Sequence, residues 1–255
     1  MVWILKFSMG KKAAVRLNLK TFKPSLAIVA QIVSFGSAHF LFQITMSGVQ
    51  LLYNLSMGWY GAAALGIANG GDIALAGHNI VGAIHMLIFM PIFGINQGAQ
   101  PLLGYNYGAK KFDRVFRTYR LAVAAGTAIC ILGFAAIMLF PVQLVGMFVS
   151  QADPALMYFA PRAMRIMSIL LPTAGFMVIS TTFFVVTGRP RISILLSLLR
   201  QCLILVPLVF IFGRVWGLWG VIAAGPVADT LALCITGTMI FFELRKLRNA
   251  KEQTT

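Results

Sequence analysis

His39, Gln43, Ser47, Gln50 and Asn54 follow one another at steps of four, four, three and four, the spacing that places side chains on one face of a helix. They punctuate residues 30–57, a stretch that is otherwise largely apolar. Polar side chains turned towards lipid are costly, so such a stripe points at other helices or at a wet cavity. Two readings stand: interhelical hydrogen bonds that hold a bundle together, or one wall of a substrate path. Five polar positions exceed what a single packing contact needs. His78 and His85, seven residues apart with Asn79 beside the first, share a second helical face. No Cys, Asp or Glu joins them at ligand spacing, so no metal site is expected; a water-facing or hydrogen-bonded role fits better.

Two formal charges lie deep in apolar sequence, Arg200 and Asp229. Their expected depths differ by about 8 Å at 1.5 Å per residue, a gap most of which a long arginine closes. Intramembrane charges pair, so an Arg200–Asp229 ion pair is expected, either as a structural tie or as a conformational or proton-linked switch. Enzyme signatures are absent: there is no H-E-x-x-H, G-x-S-x-G, Walker loop or carboxylate pair. Gly70-Gly71-Asp72 superficially matches an intramembrane aspartyl protease, but a second Asp in matching context is missing, and a glycine-rich external turn is expected instead. The chain is not expected to be an enzyme.

The elements that must position these residues follow from composition. Of 255 residues 59% are hydrophobic and 11% charged, and mean hydropathy is +0.87, far from soluble usage. Uncharged stretches long enough to cross a bilayer occur near 30–57, 74–104, 119–149, 166–187, 192–213 and 216–242. The expected fold is an all-α integral membrane bundle of about six transmembrane helices, residues 25–244, with a basic lead-in over 1–24 and a basic tail over 245–255.

Pro91, Pro101, Pro172, Pro207 and Pro226 fall in or near membrane portions and are expected to kink them. Cys130, Cys202 and Cys234 sit apart in apolar stretches and read as buried hydrophobes. Met86, Met90, Phe176, Met177, Phe183 and Phe184 read either as lipid-facing filler or as a soft surface for apolar cations.

The net charge of +15 is explained by placement. Seventeen of the 21 Lys and Arg fall before the first helix, between Lys110 and Arg120, at Arg189 and Arg191, or from Arg245 onward. Arg162, Arg165 and Arg214 hold the other side, and Arg200 is inside a helix. This positive-inside pattern puts both termini in the cytoplasm and leaves no nucleic-acid partner to explain. A lipid-binding role for the basic tail is the rival reading. The apolar run before Lys11 and Lys12 has the reverse charge order of a secretory signal, so none is expected.

The segment Met90 to Val115, M-P-I-F-G-I-N-Q-G-A-Q-P-L-L-G-Y-N-Y-G-A-K-K-F-D-R-V, resembles the multidrug and toxic compound extrusion (MATE) family. Within it Gln97, Gly98, Gln100 and Pro101 are expected to end a helix irregularly, and Gly104, Tyr105, Asn106, Tyr107 and Gly108 to turn the chain towards a basic loop. Ser197 to Gln201 and Pro226 to Asp229 extend the resemblance, in the order of a C-terminal half; within residues 1–24, Met1 to Phe7 resembles the end of a preceding helix and Lys11 to Lys23 the basic cytoplasmic linker between lobes. It implies one six-helix lobe of a twelve-helix secondary active efflux antiporter that exports organic, often cationic, compounds in exchange for protons or sodium ions, in the bacterial inner membrane. The implied partners are an N-terminal six-helix lobe, in the same or a separate chain, membrane lipids and organic cations. No cofactor is implied, and the coupling ion is expected mainly in the N-terminal lobe. Acidic residues that some members carry on the first and fourth helices are absent here. Half of a lipid-linked or polysaccharide flippase, or a truncated non-transporting membrane protein, are the alternatives.

Overall fold

Long uncharged apolar runs become helices in a bilayer because only intrasegment hydrogen bonds satisfy the backbone there. The computed structural model describes residues 26–67, 69–149 and 153–252, and every regular element among them is helical. In chain order α1 is Leu26–Leu65, α2 Gly70–Gly108, α3 Phe112–Leu139, α4 Pro141–Gly146, α5 Pro154–Met167, α6 Leu171–Val186 and α7 Pro190–Leu198. A π-helical segment, Leu199–Leu205, then leads into α8, Val206–Glu252. The basic lead-in assigned to residues 1–24 lies outside the described residues. The chain divides into two units between Ile44 and Thr45. The described part of the first is the opening of α1; the second holds the rest of α1 and every later helix.

Among the described residues, α2, α3 and the 57-residue stretch Ile192–Arg248 are each long and apolar enough to cross a membrane, and α5 with α6, bent by 50°, form a fourth such piece. The long stretch is folded in two. Gly217 has φ 58° and ψ −138°, a backbone region that only glycine enters readily. Arg200 and Asp229, which would stand about 43 Å apart on one straight helix, meet on either side of that break. With the 40-residue α1, the described residues form an all-α membrane fold of about six crossings.

Several boundaries differ from the sequence expectation for identifiable reasons. The stretch 119–149 is not one helix: Pro141 cannot continue α3, and Phe140 before it leaves helical geometry at φ −124° and ψ 41°. The fourth crossing is not confined to 166–187 but uses α5 as well, with Pro172 opening α6 just past the bend. Gly70-Gly71-Asp72 is not a turn. It is the first turn of α2, and the chain reverses earlier, at Gly66 with φ 63°. Nor does α2 stop at Gln97–Pro101: it runs through Pro91 and Pro101 to Gly108. It ends where Lys110 adopts φ 54° and donates to Tyr107 O while Lys111 N donates to Asn106 O, the paired bonds of a Schellman cap. The sequence 245–252 continues α8 as helix.

In a bilayer the hydrophobic effect does not drive helices together, so close packing must. α3 and α6 cross where Gly126 faces Gly175, so close that a Cβ on Gly175 would sit 2.5 Å from the Gly126 carbonyl carbon. Towards the α8 C-terminus, Val115, Tyr119, Phe183, Phe184, Ile240 and Leu247 form a buried cluster. Phe183 and Phe184 are therefore core residues, not part of a soft binding surface. Cys130 is buried, but Cys202 is only half-buried and Cys234 is exposed, because α8 turns that face out of the lobe.

Candidate functional site

The second half of α1 carries two neighbouring faces. Val49, Tyr53 and Met57, at steps of four, are buried and pack into the lobe. The stripe of Gln43, Ser47 and Gln50 is exposed, and Asn54 is half-buried. His39 also lies in α1, but its side chain is outside the described residues. Gln50 Nε2 donates to Asn54 Oδ1 at 3.3 Å, so two members of the stripe satisfy each other on the helix surface. Tyr53, between them, donates its hydroxyl to Val221 O at 2.9 Å and so ties α1 to α8.

These residues border a cavity of about 240 Å³ that reaches from α1 across α2 to the π segment and α8. Its polar lining is Gln50, Tyr53, His78, His85, Arg200, Gln201 and Asp229. A smaller void of about 130 Å³, between α2 and α6, shares His85, Arg200 and Asp229 with it. Five of the residues singled out from sequence therefore converge. Asn79 does not border the cavity; it is exposed on α2.

Each polar group is held by a distinct device. Arg200 Nε and Nη2 both lie 2.6 Å from Asp229 Oδ1, with side chains 44% and 27% exposed, so the pair borders the cavity instead of being sealed in packing. Arg200 stands on the π segment, where one extra residue per turn shifts side chains relative to an α-helix. His85 Nε2 is 2.8 Å from Ser168 Oγ, and the Ser168 hydroxyl donates to Met164 O at 2.7 Å. With that proton used, Nε2 must be the donor, which leaves Nδ1 of neutral His85 as an acceptor. His78 stacks on Tyr53 with centroids 4.8 Å apart, and its Nδ1 is buried without a hydrogen-bond partner. An orphaned polar atom at the wall of a polar cavity has capacity for a water or a ligand. Among the described residues no three His, Cys, Asp or Glu gather closely enough to hold a metal ion.

The motif in the second half of α2 lies elsewhere. Gln97 is about 18 Å along the helix from His85. Gln97, Gly98, Gln100, Pro101, Tyr105 and Gly108 are exposed, Gly104 and Tyr107 half-buried, and Asn106 buried. Asn106 Nδ2 donates to Leu102 O while its Oδ1 stays unpartnered, so the segment shapes the helix end and does not enter the cavity.

Sequence reasoning missed several polar contacts between helices, of which three follow. Asn96 Nδ2 donates to Thr182 Oγ1 at 2.9 Å and ties α2 to α6. Ser168, wholly buried, fixes His85. Arg189, at the N-cap of α7, pairs with buried Glu243 of α8. Only the last leaves a sequence trace, a lone acid just past an apolar run.

The MatE family model matches residues 38–211. The chain is 25% identical over 246 residues to multidrug export protein MepA of Staphylococcus aureus strain MSSA476, covering 96% of this chain and 51% of MepA. Identity to MepA of Staphylococcus haemolyticus is 24% over 249 residues, covering 97% and 50%. The chain thus spans about half the length of these curated relatives. Its fold superposes on an outward-facing multidrug resistance MATE family transporter of the MOP superfamily with TM-score 0.79, at 22% identity, covering 97% of this chain and 54% of the other. A MOP superfamily transporter from Pyrococcus furiosus Vc1 gives TM-score 0.80 at 22% identity, covering 97% and 54%. The family match covers most of the helices that wall the cavity, and on it this chain belongs to the MatE family.

Proposed function

We propose that this chain is one six-helix lobe of a multidrug efflux antiporter, and that its polar cavity forms one side of the path for organic cations. The observation that carries the reading is the cavity: Gln50, His78, His85 and the Arg200–Asp229 pair converge in a lobe that is otherwise apolar. A transporter needs such a pocket near mid-membrane, wet enough to admit a charged molecule and weak enough to release it. Its partner is an N-terminal six-helix lobe that supplies the opposite wall and, with it, most of the binding for a coupling proton or sodium ion. The exposed stripe Gln43, Ser47 and Gln50 is the natural edge of that shared path. The lobe sits in the bacterial inner membrane with both termini in the cytoplasm, and the distribution of Lys and Arg supports that orientation.

Co-expression with a matching N-terminal lobe tests this. Dye efflux above that of either lobe alone is expected, and Gln50→Ala with Asn54→Ala should lower it while assembly stays intact. Absence of efflux with both lobes folded and assembled contradicts the reading.

A further inference from the structure

The N-terminal turns of α3 and the C-terminal turns of α8 pack side by side, and both reach the edge of their apolar runs at the same level. On α3 the last charge is Arg120, directly before Leu121; on α8 the basic C-terminal run opens at Arg245, directly after Leu244. Val115, Tyr119, Ile240 and Leu247 hold the helices together there, with Phe116 and Leu244 partly buried against them. Two adjoining clefts open outward from this contact, of about 560 and 640 Å³. Arg120 and Arg248 border both, Arg245 the first and Arg117 the second. Among the described lining residues Asp113 is the one acid, against four arginines. Phe116 and Leu244 supply apolar surface among the arginines, and Phe241, one turn before Arg245, lies on the membrane side of them.

Guanidinium groups present paired donors that match phosphate oxygens. Here they stand at the depth where a helix leaves hydrocarbon, beside aromatic and aliphatic side chains that suit the first carbons of an acyl chain. A soluble anion would not need that apolar surface. We infer that the cleft between the α3 N-terminus and the α8 C-terminus binds the headgroup phosphate of an anionic phospholipid, with its acyl chains running down past Phe241. The site is separate from the polar cavity, and the inference does not depend on what the chain transports.

The full chain in detergent, titrated with phosphatidylglycerol or phosphatidylcholine and followed by thermal unfolding and native mass spectrometry, tests this. Phosphatidylglycerol should raise the unfolding temperature and stay bound, whereas phosphatidylcholine should do neither. Arg120→Gln with Arg245→Gln should weaken phosphatidylglycerol retention about twenty-five-fold, from about five-fold per arginine near the headgroup plane. Arg214→Gln, an exposed charge remote from the cleft, should leave retention unchanged. Equal effects of the two lipids on the unaltered chain overturn the inference without reference to any variant. Full retention in a folded double variant overturns it too, and so does an equal shift with inorganic phosphate alone, which marks a free-anion site. Loss of dye efflux without loss of lipid retention strikes the transport reading only.

Discussion

Asp229→Ala should lower the stability of the folded chain by about 3 kcal/mol, read as a fall in unfolding temperature in detergent. Removing one member of an intramembrane pair leaves the other charge without compensation, and measured losses for buried pairs run to about 3–5 kcal/mol. The lower figure applies because the Arg200 side chain is 44% exposed at the cavity and keeps part of its solvation. The sign of a second change is more telling than the size of the first. Arg200→Met together with Asp229→Leu removes both charges, so most of the lost stability should return. Efflux should not return with it, because the cavity has then lost its two charged walls. A double variant no more stable than Asp229→Ala would show that the pair does not act as a unit.

Gly175→Ala should be strongly damaging, because it adds a methyl where two crossings touch backbone to backbone. The new Cβ would meet Gly126 C at 2.5 Å, Gly126 O at 2.7 Å and Thr127 N at 2.7 Å, all backbone atoms that no rotamer change can move. α3 and α6 would have to separate along a contact on which both crossings depend, at a cost of about 3 kcal/mol or more. Gly82→Ala is the matched control, because nothing lies within 4 Å of a Cβ built there. That change should be neutral or stabilise the helix by up to about 1 kcal/mol. Opposite signs for the same added methyl, measured by folded yield and unfolding temperature, are the expected result; equal effects would mean that the α3–α6 approach is not tight.

The same contrast shows what sequence can and cannot convey. Arg200 and Asp229 are legible as partners because a charge in hydrocarbon has few options and the sequence offers only two deep ones. The count of about six crossings is legible because backbone satisfaction in lipid demands long apolar helices. The break in the long stretch is legible to within a few residues, at Arg214 between the runs 192–213 and 216–242; that Gly217 takes the positive φ is not, because one glycine among many carries no mark of it until the helices on either side have docked. Nor is the end of α2, where a lysine, not one of the motif glycines, takes the left-handed position. Pro101 looks like a stop, yet α2 continues through it, since a membrane helix loses more by exposing free backbone than by absorbing a local kink. In the candidate site, periodicity finds Gln50, His78 and His85. It cannot find Ser168 or Tyr53, whose roles arise from neighbours 83 and 168 residues away. The π segment that carries Arg200 depends on a hydrogen-bond register that residue types do not announce.

Whether the polar cavity is a water-filled path, and not a packing defect closed by lipid, is settled most directly by thiol labelling. In a chain with Cys202→Ser and Cys234→Ser, assembled with an N-terminal lobe, Gln50→Cys should react readily with a membrane-impermeant maleimide, since the reagent needs a hydrated thiolate. An organic cation should slow that reaction. Leu132→Cys, on the face of α3 where Leu132 is 71% exposed, should resist labelling because that side chain stands in lipid. Labelling at position 50 no faster than at position 132, with or without the cation, would contradict the account.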